Sequence, residues 1–382
     1  MVWGEAGKRL QVPTLKTPRI GVDARPLCHP GTGIYRYTYE LLSRMCPLGG
    51  EWFLYSAQDY DTAALNLPNV HHRVAGVPAR LRASQSAHLF FPRWTRKDKL
   101  DAFWGPRHQL PLMLPSGIRA VVTVHDMVWR AFGETMRFPG RQIEAFFMPR
   151  ALKRAQHIAV VSEFTAEEVR KYYPKNAGKV VTVAGASLLQ ASTFSEKSSG
   201  NYFLFVGTLE PRKNLPRLLR AYAALVRECP NARKLLIAGA RGWGGQDVAG
   251  LVQLLGLEGR VEILGSVDDH ELMRLYAGAY ALLMPSLYEG FGLPVVEAMS
   301  MGVPAVVSRD SALSEVAGMA GLPVDPLSEG DIRNALRQLD TDIQLRTTLG
   351  SHAMTEAGRY DWHRSAVRMF GILTGDANPG RL

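Results

Sequence analysis

The sequence predicts an α/β chain of two units of similar size, each a mostly parallel sheet covered by helices. Three observations predict it. Short apolar runs recur along the chain, separated by longer polar or helical pieces, as in parallel strands joined by crossovers. The alternation stops once, at QASTFSEKSSGN (Gln190 to Asn201), which is polar, lacks periodicity and reads as a linker. Glycines and charged residues follow several of the runs, where open α/β sheets gather ligands.

Taken in order, the first strand is RIGVD, from Arg19 to Asp23. The Gly-rich turn HPGTGIYRY and a helical run toward Met45 follow it. WFLY at Trp52, AFW at Ala102, AVVTV at Ala120, HIAVV at His157 and VVTV at Val180 continue the first sheet. After the linker, YFLFV at Tyr202 leads into a helix through Leu218, Leu219, Tyr222, Leu225 and Val226. KLLIA at Lys234 and VEIL at Val261 come next. Asp268 and Glu271 then stand at capping-box spacing before another helix. YALLM at Tyr280 and PAVV at Pro304 flank a further helix, and DWHRSAVRMF is the last helical stretch. The expected organisation is a tail (1–18), an N-terminal unit (19–190), a linker (191–200), a C-terminal unit (201–358), a final helix (359–372) and a second tail (373–382).

The 382 residues suffice for more than one domain and for large cores. Apolar content of 46% and charged content of 21% are ordinary globular usage. The formal charge of +10 favours anionic partners: nucleic acid, anionic lipid or phosphorylated small molecules. Cys28, Cys46 and Cys229 make neither a Cys-x-x-Cys motif nor a disulfide framework, so a reducing compartment fits best. No uncharged apolar stretch reaches the roughly 18 residues of a membrane span. The first residues lack the apolar core of a secretory signal and read as a loose tail.

The richest chemistry lies in SLYEGFGLPVVEAMSMGVPAVV, from Ser286 to Val307. Glu289 follows a strand, Gly290 and Gly292 permit close backbone approach, and Pro294 suits the first turn of a helix. Glu297 falls near that helix N-terminus, where free N–H groups and the helix dipole favour an anion. A phosphorylated ligand held by those N–H groups, with the carboxylates accepting from sugar hydroxyls, fits this pattern. A surface loop residue and a self-capping carboxylate fit it too. In GTLEPRKNL, Arg212 and Lys213 are suited to a diphosphate, Arg as a fork and Lys as a point charge, and Asn214 stands where a helix cap would. The Walker A order is absent. In the first unit, Gly31 and Gly33 follow a strand, and His125 and Asp126 follow another. His125 is placed to bond a sugar hydroxyl, or else is a structural histidine bonded to backbone; Ser162 reads as a helix N-cap. His71 and His72 lack the partners of a metal site, so no metal is expected.

RLRASQSAHLFFPRWTRKDKL, from Arg80, mixes Arg93, Arg96 and Lys97 with Phe90, Phe91 and Trp94. It reads as a solvated face with core aromatics, as a segment lying on an anionic bilayer, or as a platform for single-stranded nucleic acid.

Together these blocks resemble the retaining glycosyltransferases of family 4, which have the GT-B fold: two Rossmann-like domains facing across a cleft. The resemblance covers roughly Arg19 to Phe370. Its most specific part is the Glu-x7-Glu motif EGFGLPVVE with its continuation AMSMGVPAVVS; FVGTLEPRKNL, VTVHDM and VVSEFT match in the family's order. It implies a nucleotide-sugar donor in the C-terminal domain. Arg212 and Lys213 would hold its diphosphate, approached by Gly33, and Glu297 would take the ribose. Glu289 and His125 would contact the transferred sugar, as would the backbone at Phe291, Gly292 and Leu293. The last helix would cross back to the first domain, and neither cofactor nor essential metal is implied. The chain departs from the usual pattern at Thr208, where many relatives have Arg, and at Ala184–Ser187. The look is that of mannosyl- and rhamnosyltransferases of bacterial surface polysaccharide, hence a GDP-linked donor and a lipid-linked glycan acceptor. That would place the chain in the cytoplasm, on the anionic inner face of the membrane. The alternatives are a soluble enzyme with a small acceptor and a basic nucleic-acid-binding protein.

Overall fold

Two parallel sheets organise the computed structural model, which describes residues 16–75, 83–189, 201–244 and 247–375, with only the backbone for 83–86. The expected linker (191–200), most of the first tail, the end of the second, and Arg80 and Arg82 lie outside the described residues. The first sheet contains β1 (Arg19–Asp23), β2 (Glu51–Ser56), β3 (Val70–Val74), β4 (Ala102–Gly105), β5 (Arg119–Val124), β6 (His157–Val160) and β7 (Val180–Thr182). Its order is β3-β2-β1-β4-β5-β6-β7, and β1 pairs parallel with β2 and β4, Ile20 opposite Trp52 and Ala102. The second contains β8 (Tyr202–Val206), β9 (Lys234–Ala238), β10 (Val261–Gly265), β11 (Ala279–Met284), β12 (Ala305–Ser308) and β13 (Gly321–Val324). Its order is β10-β9-β8-β11-β12-β13. Both orders reverse once, between β1 and β4 and between β8 and β11, and such reversals open a crevice beyond the strand ends.

The helices of the first half are α1 (Gly33–Met45), α2 (Ala83–Lys97), α3 (Val128–Ala131), α4 (Gly140–Arg154) and α5 (Glu163–Tyr172). Those of the second are α6 (Leu215–Glu228), α7 (Val248–Leu254), α8 (Asp269–Gly278), α9 (Leu293–Ser300), α10 (Ala312–Ala317), α11 (Glu329–Thr341), α12 (Ile343–Ala357) and α13 (Trp362–Thr374). The central strands are buried on both faces, which is why they read as continuous apolar runs. In α6, Leu218, Leu219, Tyr222 and Leu225 recur at helical spacing and are fully buried. Each such side chain contributes roughly 1.5–3 kcal/mol over its exposed state. α13 lies against the first half: Ser365 Oγ donates to the Ala184 carbonyl (2.8 Å), and Phe370 stands 6.1 Å from Trp52, ring to ring.

The stretch near Trp94 takes the first of its three readings, a solvated face with core aromatics. It forms α2, whose Phe91 is fully buried and stacks on Trp94 at 5.7 Å, both rings against Tyr55. Phe90 is half-buried on the same core. These aromatics therefore fill the interior rather than offering an apolar face to a bilayer. Arg93, Arg96 and Lys97 are exposed on the other side of the helix.

Candidate active site

The Glu289 loop and the basic turn are built to meet. β11 is buried to its end at Met284, so the chain leaves the sheet there. Gly292 holds φ at +122°, a conformation other residues rarely adopt, and α9 starts at Leu293 with Pro294 in its first turn. Across the crevice, Pro211–Lys213 forms a single tight turn closed by Asn214 at φ +62°. Asn214 stands at the start of α6 without capping it. Its amide instead donates to the Pro285 carbonyl (2.9 Å) and the Pro326 carbonyl (2.7 Å), tying the basic turn to the Glu289 loop. As a result Arg212 Nη1 and Lys213 Nζ each lie 2.5 Å from a different oxygen of Glu289. Burial raises the Glu289 carboxyl, but the two cations outweigh it and hold it at about 2. Burial pushes Lys213 down, partly countered by Glu289. The N–H groups of Phe291, Gly292 and Leu293 carry no hydrogen bond among the described residues, and all three residues line the same cleft.

Glu297 sits in the second turn of α9, 3% exposed, with both oxygens engaged. Tyr276 OH donates to Oε2 at 2.8 Å, and Arg36 of α1 pairs with Oε1 from the opposite half of the molecule. Arg36 also reaches Asp269, 3.2 Å away. Arg36 stands within HPGTGIYRY, where the sequence gives it no role. Its partner is 261 residues away, and no local signal marks it.

The first half supplies the facing wall. Gly31 has φ +82°, and Thr32 caps α1 by accepting from the Tyr35 N–H (3.1 Å), which sets Gly33 at the helix start beside the cleft. His125 Nε2 is 2.7 Å from the Pro106 carbonyl, which can only accept, so Nε2 carries the proton and Nδ1 is the acceptor. Burial, the neighbouring His108 and Arg107 hold the imidazole down at about 3 and neutral. His108 Nε2 accepts from the His125 N–H (3.0 Å), and Glu144 orients that ring at Nδ1 (3.2 Å).

The walls are fastened together. Ser162, which caps α5 as expected, also donates to the Gly290 carbonyl (2.6 Å), joined by Thr165 Oγ1 (3.0 Å). Glu315 of α10 accepts from the N–H groups of Glu163 (2.9 Å) and Phe164 (2.7 Å), capping α5 from the other half. Tyr288 OH accepts from the Met127 N–H (2.9 Å). The resulting cleft, about 720 Å³, brings together Glu289, Glu297, Arg212, Lys213, His125, Gly33, Phe291, Gly292 and Leu293. Phe90, Phe91, Arg93, Trp94, Arg96 and Lys97 are not among its lining residues.

Residues 31–185 match the family described as Glycosyltransferase Family 4, and residues 190–355 match Glycosyl transferases group 1. The O-antigen chain mannosyltransferase B of Escherichia coli is 30% identical over 368 residues, covering 90% of this chain and 96% of that protein. The chain belongs to the family 4 glycosyltransferases. The O-antigen chain mannosyltransferase RfbU of Salmonella typhimurium is 25% identical over 84% of this glycosyltransferase and 90% of that protein. Among solved structures, WaaG, a glycosyltransferase involved in lipopolysaccharide biosynthesis, superposes with a TM-score of 0.76 at 17% identity, covering 93% of this chain and all of that one. Sucrose-phosphate synthase from Thermosynechococcus elongatus gives 0.73 at 18% identity, over 94% and 98% of the two chains. The two facing Rossmann-like sheets of this glycosyltransferase are the GT-B fold.

Proposed function

We propose that this glycosyltransferase moves mannose, or else rhamnose, from a GDP-linked donor to a lipid-linked glycan in bacterial surface polysaccharide synthesis, with retention at the anomeric carbon. The observation that carries the proposal is the Glu289–Arg212–Lys213 cluster facing His125 across one cleft. The mannosyltransferase names of the relatives support the sugar. The resemblance of the GTLEPRKN block supports the nucleotide. In this reading residues 201–358 hold the donor and residues 19–190 face the acceptor.

As the glycosidic bond breaks, negative charge develops on the leaving diphosphate. Arg212, Lys213 and the free N–H groups of Phe291, Gly292 and Leu293 would stabilise it, and closure of the two domains would exclude water. Glu289 orients the two cations and accepts from the sugar; its carboxyl is ionised at any ordinary pH. His125 Nδ1 accepts from a sugar hydroxyl on the opposite wall. Glu297 takes the ribose hydroxyls once Arg36 yields its oxygen. The retaining course is read as a same-face attack, because Glu289 is already committed to two cations and is a poor nucleophile.

No described helix is long and apolar enough to cross a membrane. Contact with the inner membrane face is accordingly proposed through the exposed cations Arg93, Arg96 and Lys97 alone. The test is a thermal-shift screen of nucleoside diphosphates and their sugar conjugates, in which GDP and GDP-mannose are expected to give the largest shifts. A larger shift with uridine or adenosine compounds refutes the GDP reading.

A further inference from the structure

A second cavity, of about 460 Å³, lies where the chain crosses between the two halves. Arg44 of α1 and Ser187 beyond β7 line it from the first half, and Ser300 of α9 and the end of α12 from the second. Tyr360, Asp361 and Trp362 close it where the chain enters α13 and crosses back. Among the described residues it shares none with the donor cleft. Trp362 is 3% exposed, and its Nε1–H is buried with no partner among the described residues. The six-membered end of the indole is committed to the cleft wall. A methyl group at Gly185 would stand 3.4 Å from its Cη2, 3.1 Å from Leu293 Cδ2 and 3.2 Å from Phe291 Cε1, and Tyr37 meets the ring edge-on at 6.0 Å. Gly185, Leu293, Phe291 and Tyr37 all line the donor cleft. The indole therefore stands between the two cavities, and its pyrrole edge, with the unused N–H, is the side left to the second one. A buried N–H without an acceptor is costly and asks for one.

The groups around that N–H decide which acceptor fits. Arg44 is paired with Glu40 and brings little surplus charge. Asp361 caps α13 by accepting from the Arg364 N–H through Oδ1 at 2.6 Å, and its Oδ2 accepts nothing among the described residues. An oxyanion would face this carboxylate with only a neutralised guanidinium to offset it. A sugar hydroxyl both donates and accepts, which suits an N–H beside an open carboxylate oxygen. The rings of Trp362 and Tyr360 add apolar surface for the C–H face of a pyranose. A few polar groups on aromatic walls, in a cavity of this size, are what small-ligand sites offer. Two further contacts tie the cavity to the donor cleft. The Tyr360 ring meets Phe291 edge-on at 5.4 Å. Ser187 Oγ is 3.0 Å from Ser300 Oγ, which donates to the Glu297 carbonyl (2.7 Å). We infer that this cavity is a second saccharide site, taking a neutral mono- or disaccharide, and that its occupant favours the arrangement of the halves in which the donor cleft is formed. The chemistry of the cavity stands apart from the donor reading; the choice of mannose as probe rests on it.

Nuclear magnetic resonance of the full chain with isotope-labelled tryptophan tests it, with methyl α-mannoside, mannobiose and inorganic phosphate as probes. The indole N–H signal absent from Trp362→Phe identifies Trp362. That signal is expected to shift saturably with the mannosides and to stay put with phosphate. By calorimetry, Trp362→Phe, which keeps a ring and loses the N–H, is expected to bind the mannosides about fivefold or more weakly. Asp361 is exposed, and in Asp361→Ser the hydroxyl keeps the cap of α13, so this variant stays folded and is expected to weaken binding likewise. His125→Ala is expected to leave mannoside binding unchanged, because His125 lines the other cavity. Saturating mannoside is expected to tighten GDP-mannose binding by about threefold or more, with an equal effect in reverse. Tighter binding of mannobiose than of methyl mannoside supports a glycan chain as the source of the sugar, and equal binding a free sugar; both support the site. The inference is overturned by an unmoved Trp362 signal, by a shift with phosphate alone, by loss of mannoside binding in His125→Ala, or by unchanged binding in both Trp362→Phe and Asp361→Ser. Unaltered GDP-mannose affinity under saturating mannoside overturns the coupling. Failure of the donor reading shows separately, as GDP binding that Lys213→Ala leaves unaltered, a measurement the mannoside titration does not use.

Discussion

Glu289 is the residue on which most of the site's electrostatics converges. Removing it leaves Arg212 and Lys213 close together and short of counter-charge. Glu289→Ala is therefore expected to cost about 3–5 kcal/mol of stability and to lower transfer at least about 100-fold. A melting curve and a donor-consumption assay check both, and wild-type turnover in the variant would remove Glu289 from the chemistry. Arg36 makes the opposite prediction. It occupies the Glu297 oxygen that the ribose is proposed to use, so Arg36→Ala is expected to bind GDP more tightly, by about tenfold or 1.4 kcal/mol. Equal or weaker binding would mean that Arg36 does not compete with the nucleoside. Glu289, Arg212 and Lys213 could be picked out from the sequence because they follow strands in glycine- or proline-marked loops. Arg36 could not, because nothing local distinguishes a cation that pairs across the cleft from one that faces water.

At the scale of elements, strands buried on both faces declared themselves, as did the edge strands β7 and β10 through VVTV and VEIL, whereas the edge strands β3 and β13 did not. β3 is VHHRV, on the border of its sheet, where His71 faces Glu51 at 2.7 Å and His72 lies 2.8 Å from Tyr60 OH. β13 carries Pro323 at the border of the other sheet, a position that tolerates a missing donor. An edge strand buries less surface and can afford polar residues, so its run of apolar letters is broken. α2 was open to several readings for a related reason. Its basic and aromatic residues alternate at helical spacing, and composition alone does not say which face is inward. Helix α5 shows how a local signal can carry a long-range role. Ser162 is legible as a cap, yet the same hydroxyl donates to Gly290, and Glu315 completes the cap from the far half. Glu315→Ala removes a charged cap and is expected to cost roughly 1 kcal/mol, with transfer reduced because α5 no longer anchors the Glu289 loop. Chemical denaturation and a turnover assay check it; full activity despite the lost stability would show that the fastening is only structural.

For the whole molecule, closure and charge matter together. A methyl group at Gly290 would stand 1.7 Å from the backbone oxygen of His125. Gly290→Ala should hence keep both halves folded, widen the cleft and abolish transfer. A larger radius of gyration by small-angle scattering with unchanged circular dichroism is the expected result, and an unchanged radius contradicts it. Acid should also weaken the fold. Burial holds His88 at about 4 and His125 at about 3, and it lowers His72 and His157 as well. The unfolded chain takes up these protons below about 6.5 while the folded chain does not, so stability drops as pH falls through and below that value. The slope is up to about 1.4 kcal/mol per pH unit for the more deeply buried His125 and smaller for the other three, which solvent partly screens. His108 opposes them: burial works against its charge, but the facing Glu144 outweighs burial and raises it, so its contribution is lost as pH rises. Denaturation at pH 7 and pH 5 measures the balance, with lower stability expected at pH 5. The most direct test of the central claim is a calorimetric titration of GDP-mannose into the wild-type chain and into Lys213→Ala. Saturable binding by wild type, weakened about tenfold or more in the variant, is the predicted result; equal affinity for both would contradict the assignment of this cleft to the donor.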